Sequence, residues 1–382
     1  MQIHFFPYLN MKDTEEVNFP GLNVKVWNYG KKADAYITDP DLRQTLDALM
    51  AINVSHRQTI NDMGIISIGE FDGREFSDAE KALCEEAQRL LFIGAVSYSG
   101  VLDRGANTGH YMFTSENFSM LQQSFELNGE RMGIESGYIV RKWDAGYKIN
   151  EVKFFRPDYT PTPMMFRGNS KVISDLLKLR KYQKRLYRRL MRAISIVMQA
   201  YFNDTKLSAQ ARILLMASAY EILFDLPEEG QRKELKDCFN RLFVEPNDIK
   251  RRYSSQRRKS ARCPNGYEWE IESIKVMWAD KFYSLRNNII HGSPIRPQDY
   301  NFSDKQGHFD ISILFFVLGL KKIMGTTPQI KQTVDEITWK KTSDEVDLDE
   351  DEDDYEGFSY DELDSWQLIT RSMWRGGRNA RN

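Results

Sequence analysis

The chain has 382 residues, with 53 Lys and Arg against 55 Asp and Glu, and a formal net charge of −2 excludes a molecule whose whole surface grips polyanions. Its length suits two domains with extensions, and 12% aromatic residues are ample for cores. The three cysteines, Cys84, Cys238 and Cys263, are odd in number and far apart, which excludes a disulfide framework and a paired-cysteine metal site and points to a reducing compartment.

Residues 1–165 predict a mixed α+β domain. Leu22 to Trp27 alternates as a strand, and Ala35 to Ile37 is placed to pair with it across Tyr29-Gly30-Lys31-Lys32. Asp41 to Met50 predicts a helix and Gly64 to Ile68 a strand. Ser77-Asp78-Ala79-Glu80 is a capping box, and its helix is expected to run to about Ala95. Short strands are expected near Tyr111–Thr114, Gly137–Arg141 and Val152–Phe155, then a linker at Pro157–Pro163. The start of the chain lacks the basic and apolar regions of a signal peptide. No phosphate loop or dinucleotide fingerprint is present, and His56 and His110 are isolated. Glu70, Asp72, Glu75 and Asp78 follow a strand end; a turn and helix cap explain them more simply than a cation site does. By elimination this half is expected to be a sensor or recognition domain.

Residues 170–203 predict one long helix, with Leu186, Leu190, Ala193, Ile194 and Val197 on its apolar face. Lys178, Lys181, Lys184, Arg185, Arg188, Arg189 and Arg192 occupy the opposite face without intervening acids. Most such runs are solvated faces, but cations that repel one another favour a polyanion, RNA or DNA phosphate. A second helix, 207–225, is apolar almost all round except for Glu221. That carboxylate needs a partner, either any nearby cation or, more specifically, Arg286. Gln231 to Phe243 predicts a further helix. The run from Lys250 to Arg262, including Arg251, Arg252, Arg257 and Arg258, is basic and poor in apolar residues, and predicts a loop able to close over nucleic acid.

Residues 267–291 predict a helix with Ile271, Ile274, Trp278, Phe282, Leu285 and Ile289 toward the core. Val276, Tyr283 and Ile290 form a second, narrower stripe, flanked by Arg286 on one side and by Asn287 and His291 on the other. Gly292 and Pro294 stop the helix just after His291, so the imidazole sits at the negative end of the helix dipole, where its protonated form is favoured. A fixed guanidinium beside a titratable imidazole is the equipment of acid–base phosphodiester cleavage. His308, opening the next helix, is a reserve candidate.

Arg286-Asn287-x-x-x-His291-Gly292 resembles the Arg-polar-x-x-x-His signature of the HEPN superfamily. Ala219 to Phe224 upstream and the apolar helix Ile311 to Met324 downstream resemble its abortive-infection (ApeA-like) branch, over about residues 170–325. The resemblance implies a HEPN-like helical bundle and a metal-independent RNase that needs no cofactor and acts as a homodimer, with Arg286, Asn287 and His291 at the catalytic site. It also implies a role in antiphage defence, with a phage-derived trigger read by the N-terminal domain. The competing implication is a catalytically inactive module that binds RNA or a nucleotide. The longest apolar run, Ile311 to Leu320, is too short to span a bilayer, so a cytoplasmic location without membrane contact is expected.

Residues 344–364 carry thirteen Asp or Glu and no Lys or Arg, which predicts a disordered acidic tail, with a short docking helix possible around Trp366. Such a tail is either a solubiliser or an internal nucleic-acid mimic.

Overall fold

The computed structural model describes residues 1–55, 58–98, 114–127, 131–134, 147–155, 166–202, 207–246, 248, 250–256, 267–303, 306–325 and 339–341. They fall into two compact units that divide between Gln183 and Lys184.

The first unit is built on an antiparallel sheet. Its strands, in chain order, are β1 (Gln2–Phe6), β2 (Thr14–Phe19), β3 (Val24–Asn28), β6 (Gly64–Ile68), β7 (Leu121–Phe125), β8 (Arg131–Ile134), β9 (Tyr147–Lys148) and β15 (Trp339–Lys341). Across the sheet the order is β15-β2-β3-β6-β1-β7-β8-β9. A small second sheet holds β4 (Asn53–Ser55), β5 (Gln58–Thr59) and β10 (Phe154–Phe155). Period-two alternation sends Ile3, Phe5, Trp27 and Ile65 to one face of the main sheet. There they pack on helices α1 (Tyr29–Tyr36) and α2 (Pro40–Ala51). His4, Phe6, Val26 and Ile66 take the other face and are equally buried, which is why β1 and β6 read as continuous apolar runs.

Helix α3 (Asp78–Val96) opens with the expected capping box: Ser77 Oγ accepts from the Glu80 amide, and the Glu80 carboxylate accepts from the Ser77 amide. Helix α4 (Ser170–Tyr182) packs against α3, and a Cβ at Gly94 would come within 2.5 Å of Ile173. The strand expected at Ala35–Ile37 is instead the end of α1; β2 supplies the neighbour that β3 needs. The expected helix 170–203 is two helices, broken at Gln183, whose backbone (φ −136°, ψ 63°) is not helical. Asp72 and Glu75 lie beside Arg74 and Lys81, as a turn before a helix cap requires. His56, His110, Cys263, the strands near 111–113 and 137–141, the 157–163 linker and the tail from 342 onward lie outside the described residues.

The second unit is helical: α5 (Lys184–Ala200), α6 (Ala209–Leu223), α7 (Gln231–Phe243), α8 (Ile274–Ile290) and α9 (His308–Gly325). Tyr220, Phe239, Trp278, Phe282, Phe315 and Phe316 fill its centre with edge-to-face and tilted ring contacts 4.9–6.3 Å apart. The Tyr220 hydroxyl donates to the Ser312 carbonyl (2.6 Å), which satisfies the one polar atom of that ring. A Cβ at Gly319 would meet the Phe224 ring at 2.9 Å, so a larger residue there would require that ring to shift.

Two expectations are corrected in this unit. Lys250–Gln256 is a strand, β11, paired antiparallel with β12 (Tyr267–Ser273), so neither the first seven residues of the basic run nor the start of the expected motif helix has its expected form. Ile271 consequently leaves the core face and is 68% exposed. A short hairpin, β13 (Asn301–Ser303) and β14 (Gln306–Gly307), precedes α9. Among the described residues no helix is long and apolar enough to cross a membrane.

Candidate functional site

Helix α8 carries the motif, and its two ends differ in kind. At its start Ser273 caps the helix, accepting from the Lys275 amide. The buried Lys275 ammonium donates to the Phe243 carbonyl (2.7 Å) and lies 3.1 Å from Asp248. One turn on, Asp280 is 1% exposed and receives two hydrogen bonds from Arg232, Nε to Oδ1 and Nη2 to Oδ2, each 2.8 Å. Lys236 lies 4.0 Å from the same carboxylate and 2.6 Å from Glu270, which also accepts from the Tyr253 hydroxyl (3.2 Å). This chain of charges ties α7, α8 and the β11–β12 hairpin together.

The far end of α8 is open. His291 is the C-cap residue, and Gly292 follows with φ +67°. The Gly292 amide donates to Ile289 and the Ser293 amide to Asn288, closing the last turn as a left-handed glycine stop does. Arg286 lies between these ends. Its Nη2 donates to Glu221 Oε1 (3.0 Å), its Nη1 to Asn287 Oδ1 (3.1 Å), and its guanidinium lies 5.1 Å from the Tyr283 ring centre. Glu221, the isolated carboxylate of α6, is thus directly bonded to Arg286. The Tyr283 phenol oxygen is 2.6 Å from both Glu221 Oε1 and Gln231 Oε1. A phenol has one proton to give. Glu221 takes it, and the Gln231 amide meets the phenol oxygen best through its NH₂ group. Burial, then the bond to Glu221, pushes the Tyr283 hydroxyl well above the usual phenol range.

Arg286, Asn287 and Tyr283 line a cleft of about 680 Å³ between α7, β12 and α8. Arg232, Lys233 and Lys236 line it from α7, and Glu270 and Glu272 from β12. His291 is exposed and is not part of this wall. It follows Asn287 on the same side of α8, one turn or about 6 Å farther along the axis.

The expected RNA-binding cations are dispersed. Lys181 is exposed in the last turn of α4, within the first unit. Lys184, Arg185 and Arg188 are exposed on α5, while Arg189 is half-buried and bridges Asp225 at 2.8 Å. Lys178 is buried near Asp175 and does not join an exposed basic face. Arg251 and Arg252 lie on β11, and their side chains are outside the described residues, as are Arg257 and Arg258 altogether. The reserve candidate His308 is 3% exposed among Trp278, Phe282 and Phe302, and burial lowers its pKa to about 3, so it remains a neutral core residue.

The cleft residues contributed by α7, and Asp280 beneath them, are absent from the sequence-based site. Asp280 carried a usable signal: an acid between Ala279 and Phe282 on an apolar stripe needs a partner for the same reason Glu221 does. Among the described residues no group of three or more His, Cys, Asp or Glu is arranged to hold a metal ion. Comparison with known proteins gives no match to any family model, curated protein or solved structure.

Proposed function

We propose that this chain is a metal-independent endoribonuclease acting through Arg286, Asn287 and His291. One observation supports it above the others. Arg286 and Asn287 stand side by side on the wall of an open cleft, the guanidinium braced by Glu221, with an exposed imidazole one helical turn beyond. In the proposed reaction the ribose 2′-oxygen attacks the adjacent phosphorus and gives up its proton. The bond to the 5′-oxygen breaks, and that oxygen leaves with a proton. The products are a 2′,3′-cyclic phosphate and a 5′-hydroxyl. The substrate supplies the nucleophile. Arg286 neutralises charge on the equatorial oxygens, and His291 moves a proton on one side of the phosphorus.

One imidazole cannot serve both sides at once, so two copies of the chain share the site as a homodimer. Val276 and Tyr283 of the second stripe are buried within the chain and cannot meet another copy, so Ile290, 50% exposed beside His291, supplies the apolar area for such a contact. Exposed Lys184, Arg185 and Arg188 give RNA a track along α5. The antiphage role and the phage-derived trigger for the sheet unit rest on the motif resemblance alone.

A second function has its own support. Arg286 is already held by Glu221, Asn287 and the Tyr283 ring, and such a residue serves equally in a binding module that cuts nothing. Single-stranded RNA incubated with the chain and excess chelator separates the two. Cleavage by the parent, lost about 10²-fold or more in His291→Ala with RNA binding retained, is the expected outcome. Intact RNA with equal binding by both proteins makes the chain a binding module.

A further inference from the structure

The cleft beside Arg286 is chemically two-ended. Helices α7 and α8 run antiparallel along it: Gln231 meets Tyr283, Arg232 meets Asp280, and Phe243 meets Lys275. Position along α7 is therefore position along the cleft. Gly230, Lys233, Arg286 and Asn287 stand at one end, and Asp237, Asn240 and Glu272 toward the other. The first end is cationic and receives the positive end of the α7 dipole. From Gly230 to Asn240 the helix rises about 15 Å, enough for one nucleotide laid from phosphate to base edge.

Some of these charges are already committed. Arg232 is bound by Asp280, Lys236 by Glu270, and Arg286 by a single bond to Glu221 that leaves it further N–H donors for the cleft. Asp237 is exposed and Glu272 half-buried, and neither forms an ion pair among the described residues. Glu272 is paired in register with Arg251 on β11. The cleft thus joins a cationic end to two carboxylates with unused acceptor capacity.

We propose that this cleft is a base-reading pocket that takes a guanine nucleotide, with its phosphate toward Arg286 and Lys233 and its base toward Asp237 and Glu272. The class of ligand rests on the RNA-cleavage proposal above. Guanine alone among the common bases presents a ring N–H and an amino group side by side on its pairing edge. A carboxylate accepts such a pair as a fork. Uracil offers one ring N–H between two carbonyl oxygens, which a carboxylate repels. Adenine and cytosine set their amino groups beside a ring acceptor.

The test uses the full chain carrying His291→Ala, titrated calorimetrically with GMP, IMP and UMP. IMP keeps the ring N–H and lacks the amino group. GMP is expected to bind at least about fivefold tighter than UMP, as one bidentate pair provides, with IMP between them. Glu272→Gln combined with Asp237→Asn is expected to bring GMP down to the UMP level, while Lys233→Ala weakens all three alike. No binding, equal affinity for the three nucleotides, or a GMP preference that survives loss of both carboxylates overturns the assignment. Binding is read here without turnover, so the two proposals fail separately. A GMP preference in this variant, beside a parent chain that cuts no RNA, keeps the pocket and rejects the nuclease.

Discussion

Two guanidinium–carboxylate pairs are anchored on α8, and they are different kinds of object. At the foot of the cleft Arg232 grips Asp280 with two bonds, and the carboxylate is 1% exposed. Near the mouth Arg286 reaches Glu221 with one bond, and the two side chains are 21% and 19% exposed. A bidentate pair on a sealed carboxylate joins elements of the fold. A single bond at a cleft wall leaves the guanidinium able to face a ligand while fixing its direction. Charge in an apolar helix therefore marks two things, and exposure separates them: Asp280 holds the bundle, and Glu221 aims a group outward.

The difference is sharpened first by Asp280→Ala. It leaves the Arg232 guanidinium, 22% exposed on the cleft wall, without its buried acceptor, and the expected cost is about 2–3 kcal/mol in urea unfolding. That is a large part of the stability of a domain. A loss below about 1 kcal/mol would put the two pairs in one class.

Acid provides the second test, because among the described residues each unit buries one histidine. His4 stacks on Phe76 at 4.4 Å, with neither ring nitrogen hydrogen-bonded, and burial aided by Lys81 lowers its pKa to about 4. His308 is lowered to about 3 by burial and Lys281. Both are neutral when folded, and unfolding lets them take up a proton below the ordinary value of 6.5. Stability is therefore complete above about pH 6.5 and falls as pH drops toward 4, where folded His4 titrates too; the drop at His4 is on the order of 3 kcal/mol. Replacing His4 by Phe is expected to flatten that fall for the sheet unit only, followed by circular dichroism across pH 4–7.

The smallest expected stability effect belongs to Glu221→Gln, about 1 kcal/mol or less, since the pair it breaks is partly solvated. Its expected effect on RNA cleavage is larger, about 10- to 100-fold, because Arg286 loses the partner that aims it. A stability loss matching that of Asp280→Ala, with unchanged specific activity, would reverse the assignment of the two pairs.

Much of this was legible in the chain. The capping box at Ser77, the strand at Gly64–Ile68 and the helix stop at Gly292 each depend on local chemistry that tertiary structure left intact. The failures share a cause. Tyr267-Glu268-Trp269-Glu270-Ile271-Glu272 alternates with period two, but Ile271 and Ile274 also fit a helical stripe, and the longer pattern prevailed. Lys250–Gln256 looked like a loop because it is basic and poor in apolar residues; it is a strand because β12 pairs with it, and no local signal reports a partner. For the site, Arg286, Asn287 and His291 were legible as a spacing and Glu221 as an anomaly. The α7 wall was not, since Arg232 and Lys236 look like ordinary surface cations until Asp280 and Glu270 are set against them.

The proposed site needs a guanidinium and an imidazole at one phosphate, and within one chain His291 stands a turn beyond the cleft. The most direct measurement mixes Arg286→Ala chains with His291→Ala chains, exchanges their subunits, and follows cleavage of single-stranded RNA in chelator beside parent and unmixed controls. The account predicts that the parent cuts, that each variant alone does not, and that the mixture regains part of the activity through sites built from one copy's Arg286 and the other's His291, slower than the parent because one of the two imidazoles is missing. An inert parent, or a mixture as inactive as its components, contradicts it.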